Sequence, residues 1–343
     1  MMMVMAVLSA FAVAALIARR ICDPQSRLHV LDHPNERSLH TRPTPRTGGV
    51  AILAGLVAGV TVTGVASSLP ESVVWLVMSA ILIAIVSFVD DRQGLSVRAR
   101  LLGHLIGAAL LVAGGLYLPL IALPGVTWLW PGWVAVLFAV VYLVWMVNLF
   151  NFMDGMDGFA GGMGVIGFGT LALIGGMAGN SQFLAFNLVV VSAIGGFLLF
   201  NFPPARIFMG DTGSAALGIL AGGVSLWGAR ADMFPLWIAV LVFSPFIMDA
   251  TVTLLRRLIR GERVWQAHRT HYYQRLVQLG WGHRKTALRG YALMLACAAS
   301  AVVAMAGPVF VQQMVLVFWV CVYMLLGVMI HRMEQRKMAK TSS

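Results

Sequence analysis

Apolar residues fill this chain in long runs separated by short polar stretches. Eleven runs are long enough to predict helices that cross a bilayer: roughly 3–18, 48–67, 72–89, 101–120, 133–150, 161–178, 183–200, 212–229, 234–254, 289–307 and 309–330. A spanning helix needs about 20 mostly apolar residues. No stretch of 50 residues lacks such a run, which leaves no room for a separate soluble domain. The pattern predicts an all-α integral membrane protein, a single multi-span domain over 1–343. Its polar loops fall at about 19–47, 90–100, 151–160, 201–211 and 255–288.

Composition agrees. The chain is 59% hydrophobic and 11% charged, where soluble domains carry about 25% charged residues. The net charge of +11 raises nucleic acid as a partner, but the location of the charge argues against it. Eleven spans put the termini on opposite sides. Of the 24 Lys and Arg residues, only Arg230 then falls on one side. Basic loops stay cytoplasmic, so the N-terminus is expected in the periplasm and the C-terminus in the cytoplasm. Arg19, Arg20, Arg256, Arg257, Arg332, Arg336, Lys337 and Lys340 read as topology and attraction to anionic headgroups. The first run lacks a basic stretch before it and has Arg19-Arg20 after it, so it is expected to stay as an uncleaved anchor. Cys22, Cys297 and Cys321 have no disulfide or metal spacing.

The acids are unevenly placed. Of 13, Glu71 and Asp232 fall outside, and Asp249 lies within the ninth run. The other ten face the cytoplasm. Five of these sit at helix ends beside small residues: Asp90 and Asp91 in SFVDDRQGLS, Asp154 and Asp157 in NLFNFMDGMDGFAGG, and Asp211 in IFMGDTGS. A carboxylate at membrane depth costs roughly 2.5–3.5 kcal/mol, so five at one level need the water boundary or a shared polar cavity. The competing readings are local. Asp211-Thr212 would serve as a helix N-cap, and Asp154 and Asp157 as a solvated turn. Asp90 and Asp91 fit that view less well, because a helix C-terminus disfavours acids. A bound cation would relieve both the dipole and the mutual repulsion.

The available ligands, carboxylates together with the Asn148 and Asn151 amides, are all oxygens, which points to Mg²⁺ or Mn²⁺ over zinc. The spacing excludes an EF-hand, whose loop places carboxylates two apart and ends in Glu. Mg²⁺ usually pairs one or two carboxylates with substrate phosphates. Acids, glycines and arginines on one face therefore suggest a phosphorylated substrate. Two loops supply cations: DHPNERSLHTRPTPRTGG with Arg37, His40, Arg42 and Arg46, and HRTHYYQRL with His268, Arg269, His271 and Arg275. A helix through the second would put His268 and His271 on one face. Phosphate binding and an interfacial loop lying on headgroups both fit it, and no third soft ligand stands near for zinc. Gly161, Gly162 and Gly164 would allow close helix approach. Asp249 reads as a packing acid that pairs with Arg256 or Arg257.

Taken in order, PNERSLHTRPTPRTGG, FVDDRQGLS, NLFNFMDGMDGFAGG, NFPPARIFMGDTGS and HRTHYYQRL resemble the polyprenyl-phosphate N-acetylhexosamine-1-phosphate transferases, glycosyltransferase family 4. The chain is closer to the WecA/WbpL-like branch than to the related MraY. HRTHYYQRL lacks MraY's consecutive histidine triplet, and Gly94 stands where that branch has the lysine of DDxxK. The resemblance implies a Mg²⁺-dependent phosphotransferase of the EC 2.7.8 type in the bacterial inner membrane, its active site on the cytoplasmic face. It would move N-acetylhexosamine-1-phosphate from a UDP-sugar to undecaprenyl phosphate, release UMP, and initiate O-antigen or other cell-surface glycan synthesis. Membrane lipids surround it, nucleic acid has no part, and dimers are common in the family.

The resemblance also implies roles. Asp211 would bind Mg²⁺ with Asp154 completing the acidic cluster. Asp90 would position or deprotonate the lipid phosphate, with Asp91 in support. Asp157, Asn201 and Phe208 would line the nucleotide pocket, Phe208 stacking on the base. Arg42, Arg46, Asn148 and Asn151 would bind substrate. His268, Arg269 and His271 would meet the diphosphate or the sugar. The rival from another class is a transporter or flippase for an anionic lipid or nucleotide sugar. Transporters place ionisable groups near the midplane of broken helices, commonly with internal repeats. Here the acids gather at one face and no repeat is evident. A purely structural subunit leaves the five clustered acids unexplained.

Overall fold

The computed structural model describes residues 1–34, 39–66, 68–263 and 268–341. Arg37 lies outside the described residues, as do the neighbouring Asn35, Glu36 and Ser38 of the first basic loop. The protein is all-α and membrane-spanning. Its elements in order are α1 (Met2–Ile21), the short strands β1 (Leu31–Asp32) and β2 (Thr44–Pro45), α2 (Gly48–Ala66), α3 (Glu71–Gln93) and α4 (Val97–Ala113). A β-hairpin follows, β3 (Leu120–Leu123) with β4 (Val126–Leu129). Then come α5 (Gly132–Phe152), α6 (Phe159–Met177), α7 (Ser181–Asn201), α8 (Gly210–Arg230), α9 (Leu236–Val242), α10 (Ser244–Ile259), α11 (Tyr272–Leu276), α12 (Gly282–Ala306) and α13 (Val309–Thr341).

Nine of the described helical segments are long and apolar enough to cross a membrane, ten with the bent α9–α10 pair counted as one span. Two of the eleven predicted runs differ from expectation. The run at 101–120 is helical only as far as Ala113, because Gly114 caps the helix and Gly115 turns at positive φ into the hairpin. The run at 234–254 breaks at Phe243 with an 80° bend. Pro245 causes the break: proline has no N–H to give and its ring collides with the carbonyl four residues back. That carbonyl, of Leu241, accepts the Ser244 hydroxyl at 2.7 Å instead.

Lipid tails are as apolar as leucine, so packing between helices depends on close backbone approach. Small residues supply it. Ala6, Ala10, Ala14 and Ala18 form a fully buried stripe on α1, against which Gly55 and Gly59 of α2 and Gly196 of α7 pack. Helix α8 is the hub and is buried over nearly its whole length. A Cβ at its Gly218 would lie 2.5 Å from the Met146 carbonyl of α5. Gly161 and Gly164 of α6 meet Leu198 and Ile194 of α7, and Gly162 meets Tyr291 of α12, as expected of close-approach glycines.

The helices that matter for the site all open or close at one end of the bundle. Residues from the C-terminal ends of α3, α5 and α7 line a single cavity with residues from the N-terminal ends of α4, α8 and α12. Backbone bonds tie the entry of α2 into the same end: Gly48 and Gly49 N–H donate to the Phe208 and Met209 carbonyls at 2.9 and 2.8 Å, and Phe208 N–H donates to Pro45 at 2.7 Å.

Candidate active site

The cavity holds about 560 Å³. Its lining includes Asp90, Asp91, Asp154, Asp157 and Asp211 together, with Asn148, Asn151, Asn201, Phe208, Arg46, His268 and His271. Twelve of the fourteen residues given catalytic, substrate or metal roles from the sequence thus line one cavity. Arg42 and Arg269 do not: both are exposed and lie outside the lining. Arg269 serves through its carbonyl, which accepts from the Gln278 amide at 2.7 Å.

Asp90 and Asp91 end α3 and turn to different partners. Asp90 accepts Leu95 N–H at 2.5 Å and faces Arg100 of α4 at 3.3 Å. Gly94, at φ 68°, makes the tight return that brings α4 back beside it. Asp91 is buried and reaches α8, where it accepts Thr212 N–H at 3.1 Å and the Thr212 hydroxyl at 2.8 Å. The N-cap of α8 is Met209, which makes no side-chain bond. Asp211-Thr212 is therefore not a local cap; Asp91 from another helix satisfies the unpaired N–H and sits on the positive end of the α8 dipole. Asp90 and Asp91 thus each have a partner of their own, Arg100 and Thr212. The Arg46 guanidinium also donates to the Asp91 carbonyl and lies 3.6 Å from Asp32.

Asp211, one residue into α8, lies beside the Asn151 amide, which also donates to Ser214 at 3.3 Å. The Asn148 amide turns back to the Val144 carbonyl of its own helix at 2.7 Å. The Asp154 carboxylate accepts no hydrogen bond among the described residues. Burial raises its pKa well above the ordinary carboxylate range, and the Asp211, Asp91 and Asp157 charges raise it further. A cation bound beside it would favour its ionised form. Among the described residues no three His, Cys, Asp or Glu side chains converge as an all-protein metal site would. Asp154 and Asp211 with amide oxygens make a partial, all-oxygen donor set, which fits Mg²⁺ completed by waters and phosphates.

Asp157 has the opposite electrostatics. Burial alone would raise it, but bonds from His283 at 3.1 Å and from Ala205 N–H at 3.0 Å outweigh burial and hold it below the usual carboxylate range. Gly158, at φ 71°, donates to the Asn201 side chain at 3.0 Å, and Asn201 in turn donates to the Ile207 carbonyl at 2.8 Å. Phe208 packs edge-on against His40, their ring centroids 4.8 Å apart.

His268 and His271 precede α11 and do not share a helix, yet their rings lie 4.8 Å apart. Burial, with His271 and Arg257 nearby, pushes His268 down to about 4, so it is neutral near pH 7. Asp249 does not pair with Arg256 or Arg257; Arg257 pairs with Glu262 at 2.7 Å. Asp249 instead accepts Tyr272 and Tyr273 N–H at 2.8 and 3.0 Å and faces His271 Nδ1 at 3.2 Å. Arg256 and Arg257 stand about two helical turns along α10 from Asp249, whereas the first N–H groups of α11 have no acceptor within their own helix. The Tyr273 hydroxyl then links the Phe152 carbonyl and Gly155 N–H, at 3.0 and 3.1 Å. Arg100, His104 and His283 also line the cavity and stand outside the quoted motifs, as do Tyr273 and Asp32, which lie within the two basic loops but were given no role there. Only Arg100 had a usable signal, since a chain reversal at Gly94 places the next helix beside Asp90.

The profile of glycosyl transferase family 4 matches residues 73–229. The chain is 30% identical over 280 residues to a Bacillus subtilis (strain 168) protein named "Probable undecaprenyl-phosphate N-acetylglucosaminyl 1-phosphate transferase", covering 81% of this chain and 78% of that one. It is 32% identical over 295 residues to a decaprenyl-phosphate N-acetylglucosaminephosphotransferase of Mycobacterium tuberculosis, covering 77% and 72%. A phospho-N-acetylmuramoyl-pentapeptide-transferase of Shouchella clausii is 31% identical over 258 residues, covering 69% and 76%. With that identity sustained over four-fifths of its length, the chain belongs to glycosyl transferase family 4.

Proposed function

We propose that this protein transfers N-acetylhexosamine-1-phosphate from a UDP-sugar to undecaprenyl phosphate, releasing UMP. An oxygen of the lipid phosphate attacks the sugar-bearing phosphorus. A new diphosphate bond forms, and the bond to the bridging oxygen breaks, that oxygen leaving with UMP. The observation that carries this reading is the gathering of Asp90, Asp91, Asp154, Asp157 and Asp211 in one cavity at the ends of spanning helices. A lipid head and a water-soluble nucleotide can meet there and nowhere deeper.

In phosphoryl transfer most of the work is positioning and charge stabilisation. Asp154 and Asp211 would hold Mg²⁺, which when bound screens the repulsion between two anionic substrates. Asp90, held by Arg100, faces the acceptor phosphate. Arg46 lies between the acidic cluster and the first loop, where it would meet substrate phosphate. Asp157, Asn201 and Phe208 form the nucleotide end. His268, neutral and partly buried, offers one N–H to the diphosphate or sugar. We read the cavity face as cytoplasmic, the N-terminus as periplasmic, and the product as the first lipid-linked intermediate of O-antigen or a related surface glycan.

The test is an assay of the purified chain with undecaprenyl phosphate, Mg²⁺ and a panel of UDP-sugars. UMP release with at least one sugar is expected. A folded sample that releases none with any sugar overturns the reading.

A further inference from the structure

His283 opens α12 and lies outside every motif of the family resemblance. Gly280 and Gly282, at φ 95° and 72°, turn the chain at the start of α12, and His283, its second residue, lines the cavity. Its ring joins three segments that are distant in sequence. Nδ1 lies 3.1 Å from Asp157 Oδ1, and the ring also lies beside the Leu39 backbone. Asp157 Oδ2 is taken by Ala205 N–H at 3.0 Å. Two turns along the same helix, the Tyr291 hydroxyl donates to the Gly158 carbonyl at 2.5 Å.

The surroundings are those of a base-binding end. The aromatic pair His40 and Phe208, the Asn201 amide and the Asp157 carboxylate all line the cavity there. A carboxylate is an acceptor only. It complements the N3–H donor of uracil and mismatches cytosine, whose N3 is an acceptor. An unheld carboxylate would rotate, and its acceptor geometry would be lost. His283 removes that freedom from one side and Ala205 from the other.

We infer that His283 is a positioning residue that fixes Asp157 for the uracil base and so sets nucleotide affinity and selectivity. This rests on reading the cavity as the nucleotide-sugar site. His283 acts through Asp157 and has no part in the transfer itself.

The test is calorimetric titration of UMP and CMP into the full detergent-purified chain with Mg²⁺, together with steady-state kinetics. His283→Leu is expected to weaken UMP binding about tenfold, the scale of one hydrogen bond to a charged group. The preference for UMP over CMP should shrink. The KM for the UDP-sugar should rise by a similar factor while that for polyprenyl phosphate holds. His283→Asn, whose amide N–H replaces Nδ1–H, should recover most of the loss. Unchanged UMP affinity in His283→Leu overturns the inference. So does a rise in both KM values together, or failure of His283→Asn to recover binding. Failure of the unaltered chain to bind UMP overturns instead the nucleotide-sugar reading beneath it.

Discussion

Asp91 on α3 accepts both the N–H and the hydroxyl of Thr212 on α8, at 3.1 and 2.8 Å. One side chain thus caps a helix to which it does not belong and fixes the level of Asp211 against Asp90. Thr212→Val removes the hydroxyl and leaves a buried carboxylate one donor short. A hydrogen bond to a charged group contributes about 1.5–3 kcal/mol, and stability should fall by about that much. Thr212→Ser should restore it. Denaturation midpoints in detergent check the first expectation, and turnover should fall in parallel as Asp211 shifts.

Asp211→Asn and Asp154→Asn should each cut turnover by about 100-fold or more, the scale of losing one preorganised electrostatic group. Half-activation by Mg²⁺ should move to higher concentration in both, and a chelator should abolish activity in the unaltered chain. Full activity of Asp211→Asn with the same Mg²⁺ dependence would show that Asp211 does not bind the metal.

Much of this site was legible because its acids sit where a membrane protein does not normally place them. Asp90, Asp154 and Asp211 stand at the ends of apolar runs, and alternation of spans alone brings those ends to one face. What was not legible depends on side chains that cross between helices. Asp91 looked like a burden on α3 because its compensation comes from α8. Asp249 looked paired with the arginines nearest in sequence, but α11 offers it two backbone N–H groups. Hydropathy also read 234–254 as one straight span, since a single Pro245 barely changes an average while it breaks a helix.

Asp249→Ala tests that second relationship. It would strand two N–H groups at the start of α11 and release His271. A loss of about 3 kcal/mol is expected, since each buried N–H left unsatisfied costs about 1–3 kcal/mol. His271→Ala removes only one of these bonds and should cost less stability. Melting points rank the two variants, and Asp249→Ala should be the lower.

Gly49→Ala probes a tight backbone approach beside the site. A Cβ there would fall onto the Gly213 backbone and lie 2.7 Å from the Thr212 carbonyl carbon. Backbone atoms cannot rotate away as a side chain can, so α2 and α8 must part. Overpacking costs typically about 1–3 kcal/mol. Here the displacement also pulls Thr212 from Asp91, so activity should fall further than stability alone accounts for. Gly132→Ala is the control, since a Cβ at the start of α5 meets nothing within 4 Å. Melting points and turnover of the two variants, measured side by side, should separate clearly. Equal behaviour would mean that α2 and α8 have slack at this point, and that the level of Asp211 is set elsewhere.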